Sequence, residues 1–173
     1  YRLENLPSFV PPCHGLVYLA GATLAGAART RVSRDLLVRG ALGLVLLWGI
    51  AGVTLLQRLD VAGALGAVLL SIYLVRGRAP AVYAGVFLVV AGLELYGTAL
   101  GTWTWAGVIP GTGVPQGNPP SGVASGYVCF DIVALALAPR LLARRAWWNV
   151  ARRWGGMLVA RQGRRERRYL AGI

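Results

Sequence analysis

Long apolar stretches separated by short charged ones set the plan of this chain. Five segments are apolar for long enough, or nearly so, to cross a bilayer as helices: residues 12–28, 36–56, 61–75, 80–100 and 122–139. A spanning helix needs about 20 predominantly apolar residues. The third segment is short, about 22 Å at the helical rise of 1.5 Å per residue, against a hydrocarbon core of about 30 Å. Either Leu59 and Asp60 lengthen it, or it spans with little tilt and thins the membrane locally. The pattern therefore predicts an all-α protein: a polytopic transmembrane helical bundle of about five spans in residues 1–138.

Charge adds an orientation. Arg29, Arg31 and Arg34 lie between the first two spans with Arg39 at the start of the second, Arg76 and Arg78 between the third and fourth, and Arg140, Arg144 and many more after the fifth. The other connections hold only Arg58 or no basic residue. Basic loops face the cytoplasm, so the N-terminal end is expected outside and the C-terminus inside, in a bacterial plasma (inner) membrane. The chain begins at Tyr1 and not at Met, so further sequence is expected before it, and its first residues have no signal-peptide pattern.

Residues 139–173 read as a second region. Ala143, Trp147, Val150, Trp154 and Leu158 recur at helical spacing, with Arg145, Asn149, Arg152 and Arg153 on the opposite face. A basic amphipathic helix of this kind lies in the headgroup layer, where Arg145, Trp147, Arg152, Arg153 and Trp154 would anchor it to anionic lipids. The formal net charge of +12 also suits nucleic acid, but the charges follow the membrane topology too closely for that partner.

Composition supports the same picture: 56% of residues are hydrophobic and only 14% charged, against about 25% charged in soluble domains. Glycine is abundant in the spans. Gly97 and Gly101, and Gly122 and Gly126, stand four apart, the spacing of small-residue faces through which helices pack on each other or on another membrane subunit.

The candidate chemistry lies in the last two spans. Glu94 and Asp131 are carboxylates inside apolar segments, where an ionisable side chain is costly and marks function by default. Glu94 is seven residues before Gly101 and Asp131 nine after Gly122, about 10 and 13 Å along their helices, so both are expected at similar depth in the outer half. One protonated and one ionised carboxyl would suit acid–base chemistry, with Glu94 as acid and Asp131 as base or charge partner. His14 and Tyr127 are expected nearby. The 101–122 connection is uncharged and rich in Gly and Pro. It predicts either an interfacial belt made by Trp103 and Trp105 or a lid folded over the acids, with Gln116, Asn118 and Ser121 supplying hydrogen bonds. Pro119, Pro120 and Ser121 are expected to open the fifth helix.

Two alternatives stand beside catalysis: the acids lock helices together, or they pass ions or protons. Cys13, Cys129 and a single histidine form no metal motif, no cofactor-binding pattern is found, and no Gly-x-Ser-x-Gly nucleophile or phosphate loop occurs.

The stretch Glu94-Leu-Tyr-Gly97-Thr-Ala-Leu-Gly101-Thr-Trp103-Thr-Trp105 resembles one in the membrane carotenoid cyclases and hydratases. Those enzymes carry an intramembrane acid, spaced glycines and paired aromatics at a helix end. The resemblance implies proton addition to an isoprenoid double bond, followed by cyclisation or water capture, with Glu94 at the acidic position. It covers about a dozen residues; neither residues 115–122 nor Asp131 has a counterpart in it. A lipid- or isoprenoid-directed enzyme, a non-catalytic subunit of a larger membrane complex, and a small transporter or proton conductor are thus the readings the sequence supports.

Overall fold

The structure, a computed structural model, describes residues 10–144. The expected C-terminal amphipathic helix, from Arg145 onward, lies outside them. The described residues form five helices and no strand: α1 (Val10–Ala27), α2 (Arg31–Thr54), α3 (Val61–Arg76), α4 (Pro80–Ala99) and α5 (Ala124–Arg144). Two of these, α2 and α4, are long and apolar enough to cross a membrane, and α3 is a shorter apolar helix.

Local signals set the ends. At α2, the Thr30 hydroxyl accepts from Ser33 N–H at 3.0 Å while Ser33 Oγ accepts from Thr30 N–H at 3.1 Å. This reciprocal cap satisfies two donors that the first turn would otherwise leave open. It starts the helix at Arg31, so Arg31 and Arg34 ride on α2 and are not in a loop, as the hydrophobic pattern alone would have them. Helix α3 begins at the N-cap Asp60, and α4 begins with Pro80 in its first turn, where a missing N–H costs nothing.

The end of α4 reverses the chain. Thr102 N–H reaches the Gly97 carbonyl at 2.9 Å and Gly101 N–H reaches that of Thr98 at 3.1 Å, the paired bonds of a Schellman turn. Gly101 sits at φ 69°, a left-handed conformation that residues with a Cβ adopt only at a cost. A Cβ there would touch nothing. Gly101 is therefore a helix terminator, which corrects its expected role as a packing residue.

Helix α4 is central and packs against α1, α2 and α3, and α2 also packs on α3. The closest helix crossing is Gly21 of α1 on Gly85 of α4: a Cβ on either would strike the other helix's backbone. The small-residue contact is real, but it falls on this pair and not on Gly97–Gly101. Gly122 abuts the backbone of α3 at Gly63, Gly66 and Ala67, whereas Gly126 has open space around its Cβ position. Val45, Leu70, Leu74, Val86, Phe87, Val90 and Val128 fill the core. Large apolar side chains also cover the outside of α2 and α3, with Leu47 68%, Leu36 66% and Val75 66% exposed.

The described residues fall into two compact units that divide between Asp131 and Ile132. The described part of the second is the helical stretch 132–144, which continues through Pro139 to Arg144. The sequence pattern placed a boundary near 139.

Candidate functional site

The site is built by the 101–123 connection folding back onto the end of α4. Glu94 lies one turn before that end and is buried, at 7% exposure. Its neighbour one turn on, Gly97, has no side chain, and the six-membered ring of Trp103 occupies the place a Cβ would take. Gly97 thus seats an indole and does not pack helices, a second correction. After the Schellman turn, Trp103 and Trp105 each donate an indole N–H to the same oxygen, Glu94 Oε2, both at 2.9 Å. Both tryptophans therefore fold back onto the end of α4.

The rest of the connection is held by α2–α3 residues that sequence reasoning did not single out. Asp60 is fully buried. Its Oδ1 accepts N–H bonds from Gly63 at 2.9 Å and Gly117 at 2.7 Å, and its Oδ2 accepts one from Ser121 at 2.7 Å. One carboxylate therefore caps α3 and grips the connection at two points. Glycines make the room: a Cβ at Gly52, Gly63 or Gly117 would run into Asp60. Arg58, half-buried, donates from Nε to the Gln116 carbonyl at 2.7 Å and from Nη2 to the carbonyls of Trp105, at 2.8 Å, and Ala106. Ala62 N–H reaches the Pro115 carbonyl at 2.9 Å, and a single β-bridge joins Val108 to Pro115.

The polar residues expected to serve the lid act mostly through their backbones. Asn118 Oδ1 accepts from Trp105 N–H at 2.9 Å. Gln116 is buried, donating its N–H to the Gly107 carbonyl at 3.1 Å and offering its own carbonyl to Arg58. Ser121 contributes its N–H to Asp60, while its buried Oγ has no hydrogen-bond partner. Contrary to the sequence expectation, residues 119–121 do not open α5; they form the turn that precedes it, with Val123 N–H on the Pro120 carbonyl at 3.1 Å. The peptide bond between Asn118 and Pro119 is cis, and the helix starts at Ala124.

Asp131 lies apart from this clamp. It is 9% exposed, and its Oδ2 is buried with no hydrogen-bond partner. The groups acting on it electrostatically are His14 of α1 and Tyr83 of α4. The His14 ring stacks on Tyr127, with centroids 4.6 Å apart and planes 13° from parallel, and meets the edge of Phe130 at 6.3 Å. Tyr127 in turn lies within electrostatic range of Glu94. His14 thus lies near both Tyr127 and Asp131. The two acids themselves make no bond to each other: Glu94 accepts from the tryptophans, while Asp131 lies within electrostatic range of His14 and of Tyr83, about three turns before Glu94 on α4. No three His, Cys, Asp or Glu side chains gather to hold a metal ion among the described residues.

This arrangement divides the chemistry. A carboxylate oxygen that accepts two N–H bonds is fixed in place. A buried polar atom with no partner is costly and calls for an explanation, by strain, catalysis or an exchanging ligand. Asp60 and Arg58 left a faint mark in the sequence, an Asp just before an apolar run being a helix-start signal. Their second partners, 47–61 residues away, left none. Among known proteins, no family model matches the chain, and no curated protein or solved structure matches it either.

Proposed function

We propose that the chain is an integral membrane protein of about five spanning helices that performs acid–base chemistry on a lipid or isoprenoid substrate, with Asp131 as the proton-exchanging group. The apolar exteriors of α2 and α3 support the bilayer as its solvent, since contiguous apolar surface of this kind is rare on soluble monomers. The alternation of Arg-rich and Arg-poor connections supports a cytoplasmic C-terminus in a bacterial plasma membrane. The observation that carries the chemistry is the buried, unbonded Oδ2 of Asp131 beside the His14–Tyr127 stack.

The resemblance to carotenoid cyclases and hydratases assigns the acid to Glu94. With both indoles on Oε2, Glu94 is better suited to holding the roof of the site, and the transferable proton passes to Asp131. The Asp131 carboxyl would give its proton to a substrate double bond, breaking O–H and forming C–H, and the carboxylate left behind would take a proton back from the cyclised cation, closing the cycle. The test is deuterium incorporation: the protein in lipid nanodiscs in D2O, supplied with a panel of isoprenoids, should place deuterium in the product. Asp131→Asn should abolish this, and Glu94→Gln should leave a measurable rate. Full activity in Asp131→Asn would remove Asp131 from the chemistry.

A second reading, a non-catalytic subunit of a larger membrane complex, is favoured by one specific observation. Asp60 and Glu94 are both consumed in holding a rigid, uncharged external loop. Mild-detergent purification followed by native mass measurement would reveal a stoichiometric partner if this reading holds.

A further inference from the structure

The opposite end of the bundle carries a separate feature. Six arginines, Arg29, Arg31, Arg34, Arg39, Arg76 and Arg78, stand on the α1–α2 and α3–α4 connections, the adjoining end of α3 and the first three turns of α2, with Asp35 as the single acid among them. All six are exposed. Among the described residues none forms an ion pair with a carboxylate. Arg34 Nε is occupied by the Ala28 carbonyl at 3.0 Å, which fixes that side chain against the end of α1.

The helix crossings bring the two connections to common heights. From the Gly21–Gly85 crossing, Arg29 is eight residues along α1 and its exit, and Arg78 seven residues back before α4. These correspond to about 12 and 10 Å in the same direction. From the Gly49–Ala67 contact of α2 and α3, Arg39 and Arg76 are ten and nine residues away, about 15 and 13 Å. Each pair therefore brings one arginine from either side of the bundle to a similar height along its helix crossing. The apolar outer faces of α2 and α3 end near the second pair, with Val32, Leu36, Ile72 and Val75 all more than half exposed.

We infer that this end of the bundle binds the phosphodiester headgroup of an anionic phospholipid, with Arg29 and Arg78 as one pair of ligands and Arg39 and Arg76 as another. Planar guanidinium forks match phosphate oxygens in bidentate geometry, and clustered cations with no acid partner leave the counter-charge to the lipid. The acyl chains would run along the exposed apolar flanks of α2 and α3, which is why the partner is a lipid and not a soluble phosphate. This site rests on the proposed membrane reading but not on the acid–base chemistry or on the Arg-rich C-terminal region.

The test is native mass spectrometry of the full chain released from nanodiscs of mixed phosphatidylglycerol and phosphatidylcholine. Wild type should retain phosphatidylglycerol selectively. Arg29→Gln/Arg78→Gln should weaken that retention by about thirtyfold, from roughly a fivefold contribution per arginine at a membrane surface. Arg164→Gln/Arg165→Gln in the C-terminal region serves as the charge-matched control and should leave the tight site intact. Equal loss in both variants would show only general charge attraction and overturn the proposal, as would unselective retention in wild type. Displacement of the lipid by millimolar inorganic phosphate would also overturn it, marking the site as one for free phosphate. Circular dichroism and thermal melting of the double variant, expected to match wild type, separate lost binding from lost folding.

Discussion

Replacing Asp60 tests how the 101–123 connection is held. In Asp60→Ala three buried backbone donors, the N–H groups of Gly63, Gly117 and Ser121, lose their acceptor at once. Each hydrogen bond to an ionised group contributes about 1.5–3 kcal/mol net, but removing the side chain also removes a buried charge whose desolvation opposed folding. The balance is a loss of about 3–5 kcal/mol, a third or more of the stability of a typical domain. Asp60→Asn is the informative partner. Its carbonyl oxygen can still accept from Gly63 and Gly117, as Oδ1 does, while its NH2 group would face the Ser121 donor. It should lose one bond, about 1.5–3 kcal/mol, and free the start of α5 more than the start of α3. The assay is denaturant unfolding in detergent micelles followed by tryptophan fluorescence, with limited proteolysis reporting on residues 106–118. The expected order is wild type, then Asn, then Ala, with loop cleavage appearing in both variants. Wild-type stability and an uncut loop in Asp60→Ala would refute the role given to this carboxylate, and equal damage in both variants would refute the division of donors between its two oxygens.

Other outcomes follow from the same geometry. Trp103→Phe and Trp105→Phe should each cost about 1–2 kcal/mol. The double variant should cost more than their sum in a double-mutant cycle, because it leaves a buried Glu94 oxygen with no donor. Gly97→Ala should expel the Trp103 ring, seen as a red-shifted emission, whereas Gly126→Ala, with open space around its Cβ, should be neutral or stabilising by up to about 1 kcal/mol. Gly85→Ala should separate α1 from α4 at a cost of about 1–3 kcal/mol in unfolding experiments. For orientation, Thr112→Cys at the exposed tip of the external loop should react with a membrane-impermeant maleimide on intact cells; labelling only after lysis would reverse the proposed topology.

Much of the helix plan was legible in the sequence, because it rests on local apolar length. The α3 and α4 segments coincide with their expected bounds to within a residue, and the reason is visible: Asp60 and Pro80 are start signals and Gly101 is a stop. The start of α2 was misplaced because the hydrophobic pattern begins at Leu36, while the helix is nucleated earlier by the polar pair Thr30–Ser33. Glycine spacing misled for a different physical reason. A four-residue interval says that two glycines share a helix face but not what that face meets. Gly97 meets an indole from the loop, whereas the closest helix approach belongs to Gly21 and Gly85, which sit on different helices and share no interval. The loop's anchors were illegible because a carboxylate that collects backbone donors from a distant turn leaves no side-chain pattern to find.

The three buried carboxylates among the described residues are distinguished by their donors and not by their depth. Asp60 receives three N–H bonds and Glu94 two, and both sets come from or brace the 101–123 connection, so each acid stabilises a fixed roof. Asp131 has a buried oxygen that receives none. A group retained for stability should be costly to remove, and one retained for chemistry should not. Asp60 and Glu94 variants are therefore expected to lose stability in proportion to the donors they orphan. Asp131→Asn removes no hydrogen bond to Oδ2 and should fold within about 1 kcal/mol of wild type. If it instead unfolds as readily as Asp60→Ala, Asp131 belongs with the structural acids, and the case for acid–base chemistry at this position falls with it.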